Sequence, residues 1–459
     1  MKRKKYFLIV VFQFALVLFV TSNIYAQSDP SIIRITKLSP ADVEFLIREG
    51  YQPQFDELAD QALLAVQSDK IAELLHMGFN VEVVQEQVMA SIDEGYHSYN
   101  EIWDYLDSVA AAYPDIVLLD TLGYSQLEGL PLPMLKISDN PSAEEDEIAV
   151  LYDGMHHARE PIGFEICMKL INHLVGNYGT DPDVDYWINE TEIFILPLIN
   201  PEGWKYITDE NLVYPFWRKN KRDNDLNGTF SRDFDGVDLN RNYGSAWENG
   251  DNDMSSEVYR GPAPFSESEL QAKKKLVLEQ KPVMGITYHS FGEVVIYSNS
   301  LGGVLFPDHQ HIAQVGAEIA SNIQKVNGGI YNSGYFALEA GLSNFWMYAE
   351  AGCFEYCIET GTDFIPSYSL ADIVSDDNLP GALYLLDRVR GPGITGHITD
   401  SVTGEPLVAT CKILELYNPV ITPRTSDSLH GRYFRPLLPG VYTIEVSKEG
   451  YYSRTLENI

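Results

Sequence analysis

Cysteine and basic residues are both scarce in this chain of 459 residues. Its four cysteines are scattered, and Cys353 and Cys357 would lie about 13 Å apart on one face of an extended strand, too far apart to bridge. So few cysteines exclude a disulfide framework as the main support of the fold. Lysine and arginine total 32 against 66 aspartate and glutamate. This acidic balance argues against nucleic acid and anionic membrane surfaces as partners.

The N-terminus carries an apolar run, from Phe7 to Val20, that is too short to span a bilayer comfortably. Four basic residues precede the run and a short polar stretch ending at Ala26 follows it, which is the layout of a cleavable secretory signal. No cysteine follows the run, so lipid anchoring is not indicated. An N-terminal anchor helix is the alternative. We therefore expect a signal peptide at residues 1–26, an extracellular or periplasmic location, and no stable membrane span after cleavage.

The remaining chain divides into three parts by sequence texture. Residues 27–92 alternate strand-like and helix-like segments, which indicates a small αβ module. Residues 93–390 alternate continuous apolar strands such as TEIFILPLIN with amphipathic helices, which predicts an α/β domain with a mixed, mainly parallel sheet flanked by helices. Residues 391–459 are short alternating runs with Gly and Pro turns, typical of a small β-sandwich. The sequence ends after what reads as an unfinished strand, so we expect a truncated chain.

Two sequence features suggest a metal site. His157 and Glu160 have the spacing H-x-x-E before a predicted helix, where an imidazole and a carboxylate can converge on one cation. His289 ends the apolar strand MGITYH and supplies a candidate third ligand. Each feature is weak alone, because H-x-x-E arises by chance and a histidine at a strand end is more often structural. In open α/β sheets, however, functional residues collect at strand ends.

Six motifs follow one another in a defined order over roughly residues 95–390. They are HARE at 157–160, WRKN at 217–220, GVDLNRNY at 236–243, YRGPAPFSESE at 259–269, YHS at 288–290 and IETG at 358–361. With these motifs the chain resembles the zinc metallocarboxypeptidases of the carboxypeptidase A type. Several long motifs in register make the resemblance specific.

The resemblance implies the roles of the reacting groups. His157, Glu160 and His289 would hold one zinc ion, leaving a fourth position for a water acidified enough to attack a peptide carbonyl. Glu359 would be the general base, with Glu355 on the same strand as its rival. Arg218 would stabilise the oxyanion. Asp238 would orient the first histidine ligand; a simple turn residue is the alternative.

Further positions match residues that bind the substrate. Asn240 and Arg241 would bind a free C-terminal carboxylate, for which a planar guanidinium is suited. Arg159 would contact the substrate further from the scissile bond, with a salt bridge as the alternative. Tyr331 is the first candidate and Tyr335 the second for the mobile tyrosine that closes over the substrate.

The tyrosine region departs from the family pattern. Tyr331 stands one residue too close to the following Ser-Gly, an insertion follows, and Phe345 replaces an expected aspartate. Asn344 lies near the position that often sets the preference for the terminal side chain. The absence of aspartate there argues mildly against a basic preference.

Two other features lie near the predicted site residues in sequence. His156, beside the first ligand, is expected to line the cleft without binding zinc. Asp223, Asp225 and Asn227 before Gly228 have the alternation of a calcium loop but lack the usual distant glutamate. Bound Ca²⁺ is therefore one reading of this loop, and a solvated acidic loop is the other.

The flanking segments also have family counterparts. Residues 27–92 stand where family members often carry a propeptide, and a retained accessory domain is the alternative. Residues 391–459 resemble the transthyretin-like domain of the regulatory carboxypeptidase branch, which implies packing or adhesion without catalysis.

The sequence thus predicts a secreted zinc metallocarboxypeptidase that hydrolyses the C-terminal peptide bond of peptides or proteins with a free C-terminus. An amidase of the same fold that acts on cell-wall peptides is one alternative. A carboxypeptidase-like binding protein without turnover is the other.

Overall fold

The structure is a computed structural model. It describes residues 31–39, 42, 45–46, 54–56, 61–66, 68–85, 92–210, 215–335 and 338–459. The predicted signal peptide at residues 1–26 lies outside these ranges. Within them, no helix combines the length and the apolar character that a membrane crossing requires.

The N-terminal part is a small αβ module with its own core. Its elements are β1 (Ser31–Thr36), β2 (Gln54–Asp56), β3 (Gln61–Val66), α1 (Ser68–His76) and β4 (Asn80–Gln85). The strands form an antiparallel sheet in the order β2-β3-β1-β4. Alternate residues of β1, Ile33 and Ile35, are fully buried in its core together with Leu74 of α1.

The central domain is built on an eight-stranded sheet. Its strands, with a short separate hairpin β11-β12, are β5 (Val117–Tyr124), β6 (Pro131–Ile137), β7 (Ile148–Gly154), β8 (Thr191–Leu196), β9 (Met284–His289), β10 (Val294–Tyr297), β11 (Ser300–Leu301), β12 (Val304–Leu305), β13 (Asn332–Tyr335) and β14 (Phe354–Glu359). The strand order is β13-β10-β14-β9-β7-β8-β6-β5. Four of the seven pairings are parallel and three antiparallel, so the predicted mixed, mainly parallel sheet is confirmed.

Helices cover both faces of this sheet. They are α2 (Tyr99–Ala112), α3 (Ile162–Asn177), α4 (Pro182–Glu190), α5 (Pro201–Lys205), α6 (Ser268–Gln280), α7 (His309–Ser321), α8 (Ser343–Ala349) and α9 (Tyr368–Val389). Strand β7 shows why two layers are needed. Val150 and Tyr152 pack into one core, whereas Ala149 and Leu151 pack into the other, because successive side chains of a strand point to opposite faces.

The C-terminal part consists of two small antiparallel sheets. Its strands are β15 (Gly393–His397), β16 (Thr410–Ile413), β17 (Arg432–Pro436), β18 (Ile444–Ser447) and β19 (Arg454–Leu456). Strand β15 pairs with β17, and β18 pairs with β16 and β19. This arrangement is consistent with the predicted transthyretin-like domain.

The C-terminal module is attached to the central domain by polar contacts. Arg435 of β17 donates to Asp308, just before α7, over 2.6 Å. The backbone N–H of Thr422 donates to the carbonyl of Ala349 over 2.7 Å. All four cysteines are buried and unpaired, as the scarcity of cysteine predicts.

The parallel strands at the centre of the sheet bring their carboxyl ends together. Strands β9 and β14 end level with each other, with Glu359 paired to His289. Strand β7 ends beside them, with Gly154 paired to Tyr288. The sheet therefore places the H-x-x-E turn, His289 and Glu359 at one edge.

Candidate active site

The turn after β7 carries two of the predicted ligands. The chain leaves β7 with Met155 in the left-handed region at φ 57°, reverses direction, and enters α3 at Ile162. A Cβ on Gly154 would lie 3.0 Å from the backbone of Gly163. Glycine at 154 therefore lets the first turn of α3 pack directly against the end of β7. This close packing places His157 and Glu160 beside the end of β9.

The three predicted ligands converge on one point. Nδ1 of His157 and Nδ1 of His289 each lie 2.9 Å from Oε2 of Glu160, and the two nitrogens are 3.1 Å apart. All three side chains are buried. This geometry confirms that His157, Glu160 and His289 form a metal-binding triad.

The hydrogen bonding of His157 shows that these residues fit a cation. Its Nε2 lies 3.1 Å from Oδ1 of Asp238, which holds a proton on that nitrogen. Its Nδ1 lies 2.9 Å from Oε2 of Glu160 and 3.1 Å from Nδ1 of His289. In the tautomer with its proton on Nε2, the lone pair of Nδ1 and the carboxylate of Glu160 would both be available to a cation between them. Two imidazoles and one carboxylate are the donor set of a catalytic zinc site with an open fourth position.

Asp238 combines the two roles considered for it. Its Oδ1 contacts His157, and its Oδ2 accepts a hydrogen bond from Nε of Arg218 over 2.9 Å. It also caps the short helical turn Leu239–Arg241 by accepting from the backbone N–H of Asn240. Burial alone would raise the pKa of Asp238, but Arg218 and His157 hold it well below its ordinary value. Asp238 therefore stays ionised and fixes both His157 and Arg218.

Glu359 stands at the end of β14 beside the metal ligands. Burial and the neighbouring charge of Glu160 raise the pKa of Glu359 to about 8, although Arg218 and Arg241 act in the opposite direction. Among the described residues, neither Oε2 of Glu359 nor Oε2 of Glu355 has a hydrogen-bond partner. Glu355 contacts the ammonium of Lys273, 3.3 Å away, whereas Glu359 is paired with the metal ligand His289 at the strand end. The role of general base stays a prediction for Glu359.

Arg241 and Asn240 lie in the helical turn capped by Asp238. Arg241 is buried and donates to the carbonyl of Asn240 over 2.6 Å. Burial lowers its pKa to about 10. The side chain of Asn240 lies 3.4 Å from Nε2 of His289. Both residues therefore adjoin the metal site.

His156 is not the cleft-lining residue that the sequence suggests. It is completely buried; its Nε2 lies 2.7 Å from the hydroxyl of Tyr243, and its ring stacks on that of His289 at 5.3 Å. Burial, together with Lys273, lowers the pKa of His156 well below its ordinary value, so it remains neutral. Its ring packs against that of the metal ligand His289.

The family model for zinc carboxypeptidases matches residues 102–377 of this chain. The chain belongs to the zinc carboxypeptidase family.

Curated members of the family match over much of the chain. Carboxypeptidase D of Mus musculus is 26% identical over 386 residues, covering 78% of this chain but only 25% of its own length. The chain thus spans about a quarter of the length of that relative. Carboxypeptidase M of Mus musculus is 28% identical, with 80% of this chain and 81% of its own covered. Carboxypeptidase B of Astacus astacus is 30% identical, over 58% of this chain and 86% of its own.

Solved structures share the fold. Carboxypeptidase A of Helicoverpa armigera superposes with a TM-score of 0.66 at 20% identity, covering 79% of this chain and 98% of its own. Thrombin activatable fibrinolysis inhibitor gives a TM-score of 0.63 at 21% identity, covering 78% and 98%. The two superpositions show that the chain has the fold of these proteins.

The two candidate tyrosines have different environments in this member of the zinc carboxypeptidase family. Tyr331 is 3% exposed, and its hydroxyl accepts hydrogen bonds from the N–H of Gly361 and from Asn378. Tyr335, at the end of β13, is 59% exposed. The exposed side chain of Tyr335 is the freer of the two to move, and the choice between them stays a prediction. Asn344 is buried in α8, and its part in specificity stays a prediction.

Arg159 shows the salt bridge that was its alternative role. It lies 3.2 Å from Glu257, donates to the carbonyl of Phe216, and its guanidinium lies 4.2 Å from the ring centre of Phe364. Its contact with substrate stays a prediction. Sequence reasoning did not identify Glu257 or Phe364, because neither belongs to a recognisable motif.

The acidic loop brings three aspartates together. Carboxylate oxygens of Asp223, Asp225 and Asp235 lie within 4.8 Å of one another, a group that could hold a cation. The carboxylates of Asp223 and Asp225 also accept N–H groups of the loop, including those of Asn227 and Gly228. Bound Ca²⁺ stays a prediction.

Proposed function

We propose that this chain is an exported zinc carboxypeptidase that removes the last residue from peptides or proteins with a free C-terminus. The main observation behind the proposal is the electrostatic environment of Arg241. In the part of the chain that the structure describes, this buried guanidinium makes no ion pair, whereas Arg218 is paired with Asp238. A buried charge without a partner is costly. A substrate carboxylate would supply that partner, with paired hydrogen bonds.

The other residues of the site fit the hydrolysis of a peptide bond. His157, Glu160 and His289 would hold a zinc ion, which would provide a water acidic near neutral pH and Lewis acidity at the scissile carbonyl. Glu359 accepts the proton of the attacking water and returns it to the leaving amine. Arg218, oriented by Asp238, donates to the oxyanion of the tetrahedral intermediate. Arg241 and Asn240 hold the terminal carboxylate, so that the last peptide bond is the one attacked.

The test compares one peptide with a free C-terminal carboxylate and the same peptide with a C-terminal amide. We expect the mature protein to shorten the free peptide and to leave the amidated one intact, as read by mass spectrometry. Arg241→Ala should raise KM for the free peptide by about tenfold or more, because a charge-assisted contact contributes roughly 1.5–3 kcal/mol. Equal cleavage of both peptides would favour the amidase alternative.

Removal of the metal and of the general base distinguishes a zinc-dependent enzyme from a binding protein without turnover. Dialysis against a chelator should abolish cleavage, and added Zn²⁺ should restore it. Glu359→Gln should retain zinc and lose turnover, because an amide does not accept the proton. A wild-type protein that binds zinc and the free peptide but releases no amino acid would be the carboxypeptidase-like binding protein.

Export and processing are part of the proposal. The charged N-terminus with its short apolar run supports export, and the αβ module at residues 27–92 has the position of a propeptide. Expression of the full chain in a secreting host, followed by mass measurement of the product, tests both features. A chain that begins near residue 27 would show signal cleavage alone, and one that begins near residue 93 would show removal of the module as well. A cell-associated product with its original N-terminus would favour the anchor helix.

A further inference from the structure

Lys273 of α6 lies at the centre of a buried polar cluster. Its ammonium lies 2.7 Å from Oδ2 of Asp153, 3.3 Å from Oε1 of Glu355 and 3.1 Å from Oγ of Ser343. It also lies over the ring of Tyr243, 5.3 Å from the centre. All five residues are buried. No step of the proposed hydrolysis uses them.

Two partners of Lys273 lie on the strands that carry the reacting groups. Asp153 is the penultimate residue of β7, four positions before His157, and its Oδ1 lies 3.5 Å from Nδ1 of His156. Glu355 lies on β14, four positions before Glu359. The ammonium therefore links the strand of the metal-binding turn to the strand of the general base, across the intervening β9.

The other two partners lead to the residues that bind the terminal carboxylate. The backbone N–H of Ser343, at the start of α8, donates to Oδ1 of Asn240 over 2.9 Å. Tyr243 follows Arg241 by two positions, and its hydroxyl lies 2.7 Å from Nε2 of His156. Lys273 thus contacts four of the segments that surround the site.

The charges explain why the ammonium holds these segments together. Asp153 and Glu355 are two acidic side chains withdrawn from water, and Lys273 is the cation between them. Without it, the carboxylates would repel each other across the sheet or take up a proton. Repulsion would shift β7 relative to β14, and so shift His157 relative to Glu359, and a proton taken up there would replace the ion pairs that join the two strands. Small displacements of this kind reduce catalysis strongly.

We propose that Lys273 is a positioning residue that holds the metal-binding turn, the strand of Glu359 and the carboxylate-binding segment in one arrangement. This inference rests on the proposed function. Lys273 lies outside the six family motifs, although it contacts Tyr243 of the motif at 236–243 and follows the motif at 259–269 by four residues. Lys273 is one of three consecutive lysines, and it is the buried one; Lys275 is exposed.

The test compares Lys273→Met with Lys136→Met. Lys136 is a matched control, because it is also buried and ion-paired, to Glu192 over 2.5 Å, but lies on β6, away from the site. We expect both variants to lower the unfolding midpoint. Only Lys273→Met should also reduce kcat of the folded, zinc-loaded protein, by about tenfold or more, and weaken zinc binding in chelator competition. Unchanged kcat and unchanged zinc affinity in Lys273→Met would overturn the proposal.

Two further variants keep the test decisive. If Lys273→Met does not fold, Glu355→Gln removes one charge with little change of shape and should lower kcat while the protein stays folded. The double variant Lys273→Met with Glu355→Gln removes one positive and one negative charge, so the cluster keeps its original net charge but lacks the ammonium that joins the two strands. Recovery of stability but not of kcat would support positioning, and recovery of both would show that Lys273 only balances charge.

Failure of this inference is distinguishable from failure of the proposed function. Wild-type protein that cleaves no peptide would contradict the proposed function. The zinc affinities of wild type, Lys273→Met and Lys136→Met would still test the link between Lys273 and the metal turn. Active wild-type protein with an equally active Lys273→Met variant would contradict the inference alone.

Discussion

At the residue scale, His156 and His157 are neighbours in sequence with different environments. Both ring nitrogens of His157 face carboxylates, Glu160 on one side and Asp238 on the other. The ring of His156 instead lies between the hydroxyl of Tyr243 and the ring of His289. Adjacent residues of the turn thus place one imidazole in the metal site and the other in the buried core next to it.

This difference predicts different effects of truncation. His157→Ala removes a ligand, so zinc measured by mass spectrometry after desalting should be lost. His156→Ala should retain zinc but leave the buried hydroxyl of Tyr243 without its partner, lowering the free energy of unfolding in urea by about 1–3 kcal/mol. Loss of zinc from His156→Ala as complete as from His157→Ala would contradict the assignment.

The ligands and Asp238 could be predicted from sequence, whereas the support from His156 and Lys273 could not. The motifs identify His157, Glu160 and His289 because the spacing and the strand end are local features. The contact between His156 and Tyr243 joins residues 87 positions apart, and no local pattern encodes it. Lys273 is hidden among three lysines for the same reason, since only the packed structure shows which of them is buried.

At the element scale, the N-terminus of α6 buries several acidic side chains. Glu267 and Glu269 of this segment lie close to Glu202 of α5, and all three are fully buried. Asn220 donates to Glu267 and Glu269, and Arg222 pairs with Glu267. Burial, together with the charges of Glu267 and Glu202, raises the pKa of Glu269 to about 8.

Glu269 should therefore make stability depend on pH. Between about pH 4.5 and 8 the folded protein keeps a proton on Glu269 that the unfolded chain has released. The free energy of unfolding falls as pH rises through this window, because the native state binds more protons. Glu269→Gln does not titrate, so it should be more stable than wild type at pH 8.5, by on the order of 2 kcal/mol or more, and nearly equal to it at pH 4.5.

Urea unfolding at the two pH values measures this effect. Glu279, near the other end of α6, is exposed, and Glu279→Gln is the matched control that should follow wild type at both pH values. A Glu269→Gln protein with the same pH dependence as wild type would show that Glu269 is ionised in the folded state.

The elements themselves were predictable to different degrees. Strands β8 and β9 are buried along their whole length, and their continuous apolar runs predict this directly. The short strands β10 and β13 were not predicted, because their residues are mostly only partly buried or exposed and their pairing is non-local: β13 pairs with β10, and β10 pairs with the distant β14. The same region holds Tyr331 and Tyr335, and the local signal that would rank them is weak there.

At the scale of the whole molecule, the sequence predicts three modules but not how they are joined. Composition and turn residues distinguish the C-terminal module from the central domain. One contact between this module and the central domain is made by Asp308, which accepts hydrogen bonds from Arg435 and from the hydroxyl of Tyr348. These residues come from separate parts of the chain, and none belongs to a sequence motif.

The buried contact between Arg435 and Asp308 should hold the C-terminal module to the central domain. Asp308→Asn removes the negative charge and leaves the buried guanidinium of Arg435 uncompensated, which typically costs about 3–5 kcal/mol. We expect a lower unfolding midpoint and faster proteolysis near Gly391, between the two parts. The control is Asp146→Asn, which breaks the pairs of the exposed Asp146 with His397 and Arg432 and should cost at most about 1 kcal/mol. Equal stability and equal proteolysis of the two variants would show that the apolar contacts of the interface, and not this ion pair, hold the module in place.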